Sequence, residues 1–145
     1  MLGTKKALSQ YGGVANTADN ASPHRLVQML MQSILDKLSA ARGQIERKDF
    51  AGKSVSISGA MSVVNALRSS LDMQSGGEVA VNLNDLYGYI YNRLVDANAH
   101  NDVSALEECA SLIGEIKSAW DAMPEEVKHM PRPAGNEAQA ARAYR

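Results

Sequence analysis

Ala21-Ser22-Pro23-His24-Arg25-Leu26-Val27-Gln28-Met29-Leu30-Met31-Gln32-Ser33-Ile34-Leu35-Asp36-Lys37-Leu38 decides the fold class of this chain. Ser22 is an N-cap by type: its hydroxyl can accept from an amide that the first helical turn leaves unpaired. Pro23 follows at the position where its fixed φ suits a helix and its missing N–H removes nothing. Leu26, Leu30, Ile34, Leu38, Ala41 and Ile45 then recur at spacings of three and four, which places them on one helical face. Val27, Met31 and Leu35 form a second row beside the first. Arg47 and Lys48 supply positive charge where the helix dipole favours it, at the C-terminal end.

Working outward, the four prolines are Pro23, Pro124, Pro131 and Pro133, so nothing between 23 and 124 breaks a helix by that route. Aromatic residues are scarce, and sustained apolar/polar alternation is absent; both favour helix over strand. After a link at 49–52, the spacing predicts a second helix over 53–72 with the stripe Ile57, Met61, Val64, Leu67 and Leu71. Val55, Ser56, Ser58, Gly59 and Ser62 make it weak by propensity, so packing must hold it. Gly76 and Gly77 mark residues 73–78 as a loop. Asn82 is the expected cap of a third helix bearing Leu83, Leu86, Tyr87, Ile90, Leu94 and Ala97. Residues 100–102 reverse the chain, and Asp102 caps a fourth helix with Leu106, Cys109, Ile113, Ile116 and Trp120. Short links make sequence neighbours antiparallel, so the expected architecture is all-α: an antiparallel four-helix bundle over 22–123. A flexible arm over 1–21 precedes it and a mobile or locally helical tail over 124–145 follows.

The composition narrows function by exclusion. The 145 residues carry 15 basic and 16 acidic side chains, which argues against a nucleic-acid binder. The N-terminal Lys5-Lys6 is not followed by the apolar run of a secretory signal, and no stretch approaches the roughly 20 residues of a membrane span. The expected setting is the cytoplasm. His24, His100 and His129 fall at a helix start, a loop and the tail, with nothing to bring them together. Glu126-Val127-Lys128-His129 fits one half of a di-iron motif whose other half is missing, so no metal or cofactor is expected. Cys109 sits at a core position without an identifiable base, which describes an inert thiol rather than a nucleophile. Gly76-Gly77 lacks the lysine and spacing of a phosphate loop. Tyr87 is expected in the core and Tyr89 at the surface.

What remains is surface for another chain. Helix one is apolar on more than a narrow strip, and helix two carries Val55, Val63 and Ala66 off its stripe. Grooves left between helices are docks for amphipathic partner segments, while homodimerisation would cover the same residues. Leu8, Tyr11 and Val14 lie in the polar arm; local sequence favours a disordered terminus with scattered apolar residues, and the alternative is a lid that folds over a groove and leaves when a partner arrives.

The order of motifs resembles the flagellin-specific export chaperone family, FliS. Tyr11 is followed by Ala21-Ser22-Pro23-His24-Arg25-Leu26-Val27-Gln28-Met29-Leu30, similar to the family's Ala-Ser-Pro-x-x-Leu-Ile-x-Met-Leu opening. Leu71-Asp72, Gly76-Gly77-Glu78-Val79-Ala80-Val81-Asn82-Leu83, Leu86-Tyr87-Gly88-Tyr89-Ile90, Arg93-Leu94, Ala97-Asn98 and Ala119-Trp120 follow in order. Met31-Gln32-Ser33 and Gly88 depart from the family pattern.

The resemblance implies a cytoplasmic, non-enzymatic bundle that binds the disordered C-terminal region of flagellin. It would prevent premature polymerisation and keep the subunit competent for flagellar type III secretion. The resemblance also implies that Tyr11 presents the loaded complex to the export gate protein FlhA. The apolar residues off the core stripes, Val27, Met31, Leu35, Val55 and Val63, are the expected client contacts. Two alternatives stay open here: a ferritin-like metal-binding bundle and a homodimeric helical adaptor.

Overall fold

The computed structural model describes residues 21–123, and over that span the chain is an all-α four-helix bundle. The expected arm, apart from Ala21, and the expected tail lie outside the described residues, with Leu8, Tyr11 and Val14. Helix α1 spans Pro23–Glu46, α2 Phe50–Ser69, α3 Gly77–His100 and α4 Val103–Asp121. Each packs against two neighbours, giving the ring α1–α2–α3–α4 closed by α4 on α1.

Capping fixes most of the boundaries. The Ser22 hydroxyl accepts from the Arg25 amide at 3.1 Å, with Pro23 opening the helix. Asp102 does the same for the Ala105 amide at 3.2 Å. Helix α2 begins three residues earlier than the spacing predicted. Asp49 is not part of a slack link; it is the N-cap and accepts from the Gly52 amide at 3.0 Å. Helix α3 begins at Gly77, five residues before Asn82. Gly76 and Gly77 do punctuate the chain, but as the helix entrance. A methyl on Gly76 would lie 2.5 Å from the Ala80 Cβ, and Gly77 has φ +59°, a region that L side chains rarely adopt. Burial of Ala80 against the bundle holds this first turn in place.

The core contains Leu30, Ile34 and Leu38 from α1, Ile57, Val64 and Leu67 from α2, Tyr87, Ile90 and Leu94 from α3, and Leu106, Cys109 and Ile113 from α4. Its α1 and α2 faces are wider than single stripes. Val27 and Met31 on α1 and Val63 on α2 are fully interior, not displaced from the core. The reason is geometric: α1 packs on both α2 and α4, so two adjacent rows of α1 point inward. Conversely Leu26, Ile45, Met61 and Leu71, placed in the apolar stripes by spacing, are only partly buried.

Polar links set the register. The Gln28 amide donates to Asp121 at 2.6 Å, and Arg42 pairs with Glu107 at 3.6 Å, so α1 and α4 run antiparallel. Lys53, almost wholly buried, donates to the Asn98 carbonyl at 2.8 Å and ties the start of α2 to the end of α3. At the other end of that pair, Arg68 donates to Asn84 at 2.8 Å.

Candidate functional site: a groove between the first and last helices

On α4, Glu107 and Ala110 meet α1 at one level and Asp121 meets it farther along. Opposite it α1 offers Gln28, Leu35, Leu38, Ser39 and Arg42. Between them lies a cavity of about 160 Å³ lined by Leu35, Leu38, Ser39, Arg42, Leu106, Glu107 and Ala110. Its floor is aliphatic. On the α4 side Ala110 contributes only a methyl group to this lining.

Charged links join α1 and α4 toward both ends of the helix pair, and the first of them lines this opening. At one end Arg42 reaches Glu107 at 3.6 Å and Glu46 at 3.4 Å. At the other, Lys117 donates to Asp121 at 2.7 Å while Gln28 donates to the same carboxylate. The Lys117 ammonium, aided by Gln28, holds the Asp121 carboxyl below the usual carboxylate range. Just beyond, the Trp120 indole N–H donates to the His24 carbonyl at 2.9 Å, and the two rings stack with centroids 4.9 Å apart. The first helix is thereby fastened to the last at the end from which both the N-terminal and C-terminal segments depart.

Of the five expected client contacts, the structure brings only Leu35 to this opening. Val55 is 75% exposed on α2, away from it. Val27, Met31 and Val63 reach no surface. Spacing placed Leu38 and Leu106 in the core stripes rather than at a groove, and it did not single out Ala110. The signal was a single small residue, Ala110, immediately beside the apolar stripe of α4.

A second polar cluster joins α3 to α4. The Tyr89 hydroxyl donates to Glu108 at 2.5 Å, and Arg93 pairs with the same carboxylate at 2.7 Å. These two donors hold the Glu108 carboxyl low, and the bond to Glu108 raises the Tyr89 hydroxyl. Tyr89 is exposed and Tyr87 buried, as their positions on the helix predict. Cys109 is buried, its thiol donating toward the Ile90 carbonyl at 3.7 Å.

Among the described residues, no group of three or more His, Cys, Asp or Glu side chains is placed to hold a metal ion. His24 opens α1 and His100 closes α3, at opposite ends of the bundle. No helix among the described residues is long and apolar enough to cross a membrane.

Fold and groove together describe an all-α four-helix bundle with an apolar-floored opening between its first and last helices. The chain belongs to the FliS family: residues 4–127 match the family model described as flagellar protein FliS. It is 46% identical over 118 residues to the flagellar secretion chaperone FliSB of Pseudomonas aeruginosa, covering 80% of this chain and 94% of that one. It is 39% identical over 116 residues to the flagellar secretion chaperone FliS of Salmonella typhimurium, covering 79% and 85%. The corresponding Bacillus subtilis protein is 29% identical over 105 residues.

Proposed function

We propose that the protein is a cytoplasmic, non-enzymatic export chaperone that binds the disordered C-terminal region of flagellin. Binding hides the segment through which flagellin polymerises and keeps the subunit fit for flagellar type III secretion. The observation that carries this reading is the opening between α1 and α4, with an aliphatic floor and Arg42 and Glu107 on its wall, in a member of a family whose relatives are named as flagellar secretion chaperones. A disordered client loses conformational entropy on binding, so a large apolar contact still releases it without ATP.

Leu35 is the groove contact and Val55 a separate surface contact on α2. Val27, Met31 and Val63 support the site from the interior. Tyr11, flanked by Leu8 and Val14 in the arm over 1–21, acts as the lid and docks the loaded complex on FlhA. Titration calorimetry of the full chain against the C-terminal segment of flagellin from the same organism tests the reading. Saturable binding with a large negative heat-capacity change is expected; absence of binding across several temperatures overturns it. Leu35→Asp should weaken that binding while leaving the helical melt cooperative. Tyr11→Ala should spare flagellin binding and weaken FlhA capture; loss of flagellin binding instead would move Tyr11 into the client site.

A further inference from the structure

Two arginines that bridge helices, Arg42 and Arg93, do so through carboxylates. Arg68, half-buried near the end of α2, bridges to α3 through a neutral amide instead: its Nε donates to the Asn84 side-chain oxygen at 2.8 Å. Among the described residues no carboxylate lies within ion-pair distance of it. Its two terminal nitrogens make no hydrogen bond there and are not shut away from solvent. The guanidinium rests against α3 at Gly88, where a Cβ would lie 3.2 Å from one terminal nitrogen and 3.4 Å from the other. Glycine at 88 therefore leaves room for the side chain to cross the seam, and it offers no acidic group to neutralise it.

On α3, Val81, Asn84, Gly88, Tyr91 and Val95 follow at spacings of three and four, so they share the face that Arg68 crosses. Val81 and Val95 are exposed and Tyr91 is half-buried. The positive charge thus sits midway along an apolar strip. This seam shares no helix with the α1–α4 opening and lies on the opposite side of the ring.

We propose that Arg68 is a carboxylate-binding residue on the α2–α3 seam, and that the group it takes is the terminal α-carboxylate of the client. The inference rests on the client-binding reading above. That reading makes the client the C-terminal region of its chain, so every client carries this group whatever its sequence. The chemistry of the site fits it. Asn84 occupies Nε and holds the plane of the fork, while the N–H groups on the two terminal nitrogens remain for bidentate pairing with one carboxylate. Val81 on one side and Val95 on the other give the last residues of the client an apolar contact beside the charge. A side chain at 88 would crowd the fork, and an acidic one would occupy it from within the bundle.

The test uses the full chain and the C-terminal segment of flagellin made twice, once with its free terminal carboxylate and once amidated. The acid should bind the wild type about tenfold more tightly than the amide, and added salt should narrow the gap. Arg68→Gln should bind the two peptides alike, at the level of the wild type with the amide. Gly88→Asp, which sets a carboxylate beside Arg68, should do the same while keeping the arginine. Leu35→Asp should weaken both peptides by a similar factor and preserve their ratio, because Leu35 lies on the other seam. Equal binding of acid and amide to the wild type would overturn the inference while leaving the client reading intact, and that outcome needs no variant. A ratio that survived in Arg68→Gln and Gly88→Asp would also overturn it, since the carboxylate would be held elsewhere. If Arg68→Gln weakened both peptides while amidation alone changed nothing, the group taken would be a side-chain carboxylate within the segment, and the assignment to the terminus would fall. Failure of both peptides to bind the wild type would remove the client reading and this inference with it.

Discussion

Burial separates residues that the sequence pattern treats alike. Val27, Met31 and Leu35 lie in one row at four-residue spacing, yet Val27 and Met31 are interior while Leu35 reaches the groove. Spacing reports which residues share a helical face; it does not report how many neighbours that face meets. Because α1 touches two helices, its interior face spans two rows. A carboxylate at Val27 or Met31 would therefore enter the core without a partner, where burial of a charge is strongly unfavourable. Replacing both with Asp should abolish the cooperative thermal transition in circular dichroism, and any loss of client binding would be secondary to unfolding. A cooperative melt close to the wild type would contradict their placement. Cys109 shows the opposite outcome, a position whose character was legible from the stripe alone. Desolvation in the α4 core, with Glu108 adding to it, pushes its thiol up to about 12. At pH 8 the native thiol should react with a thiol-specific reagent far more slowly than the denatured chain does, the gap closing as denaturant unfolds the bundle.

At the scale of the element, the ends of the helices were the least legible part. The start of α1 was plain because Ser22 and Pro23 each carry a one-residue reason. The start of α3 was hidden because Gly76-Gly77 has the local chemistry of a loop, while the burial of Ala80 that recruits it into the helix is a tertiary effect. Contacts between helices were less legible still, since Tyr89 and Glu108 are 19 residues apart in sequence. That cluster gives the α3–α4 pair a defined response to pH. Glu108 has a folded-state pKa below its ordinary value of about 4.3, because Tyr89 and Arg93 both favour the carboxylate. A group depressed on folding contributes stability above its unfolded pKa and loses that contribution as pH falls through the folded one. Tyr89 is raised, so its contribution is present at neutral pH and fades as pH rises through the value the hydroxyl has in the fold. The fall in Tm between pH 7 and pH 3.5 should thus be smaller in Glu108→Gln than in the wild type, with Glu108→Gln already less stable at pH 7. Because all three side chains are at the surface, added salt should reduce the difference. An identical acid limb in the two proteins would show that the Glu108 cluster does not link pH to stability.

Across the whole molecule, the groove is made from the first and the last helix of the bundle. Its walls, Leu35 and Leu38 on one side and Leu106 and Ala110 on the other, are about seventy residues apart in sequence and meet only when the ring closes. Trp120 stacked on His24 secures that closure at one end, and Arg42 with Glu107 links the two helices farther along. The unfolded chain has no such groove, so a client that occupies it binds only the folded state. Stability and occupancy are then linked by mass action. At a free client concentration about a hundredfold above Kd, the gain is about 2.7 kcal/mol, or about 10 °C or more in Tm for a domain of this size. Trp120 is the single tryptophan of the chain and lies at the α1–α4 junction, so its fluorescence follows the event that assembles the groove. Its transition should coincide with the loss of helical signal and move upward with it as the flagellin peptide is added. Leu35→Asp at the same peptide concentration should show a smaller upward shift from its own baseline. If the peptide raised the Tm of both proteins equally, the stabilising contact would have to lie outside the groove, with exposed Val55 on α2 the next position to probe.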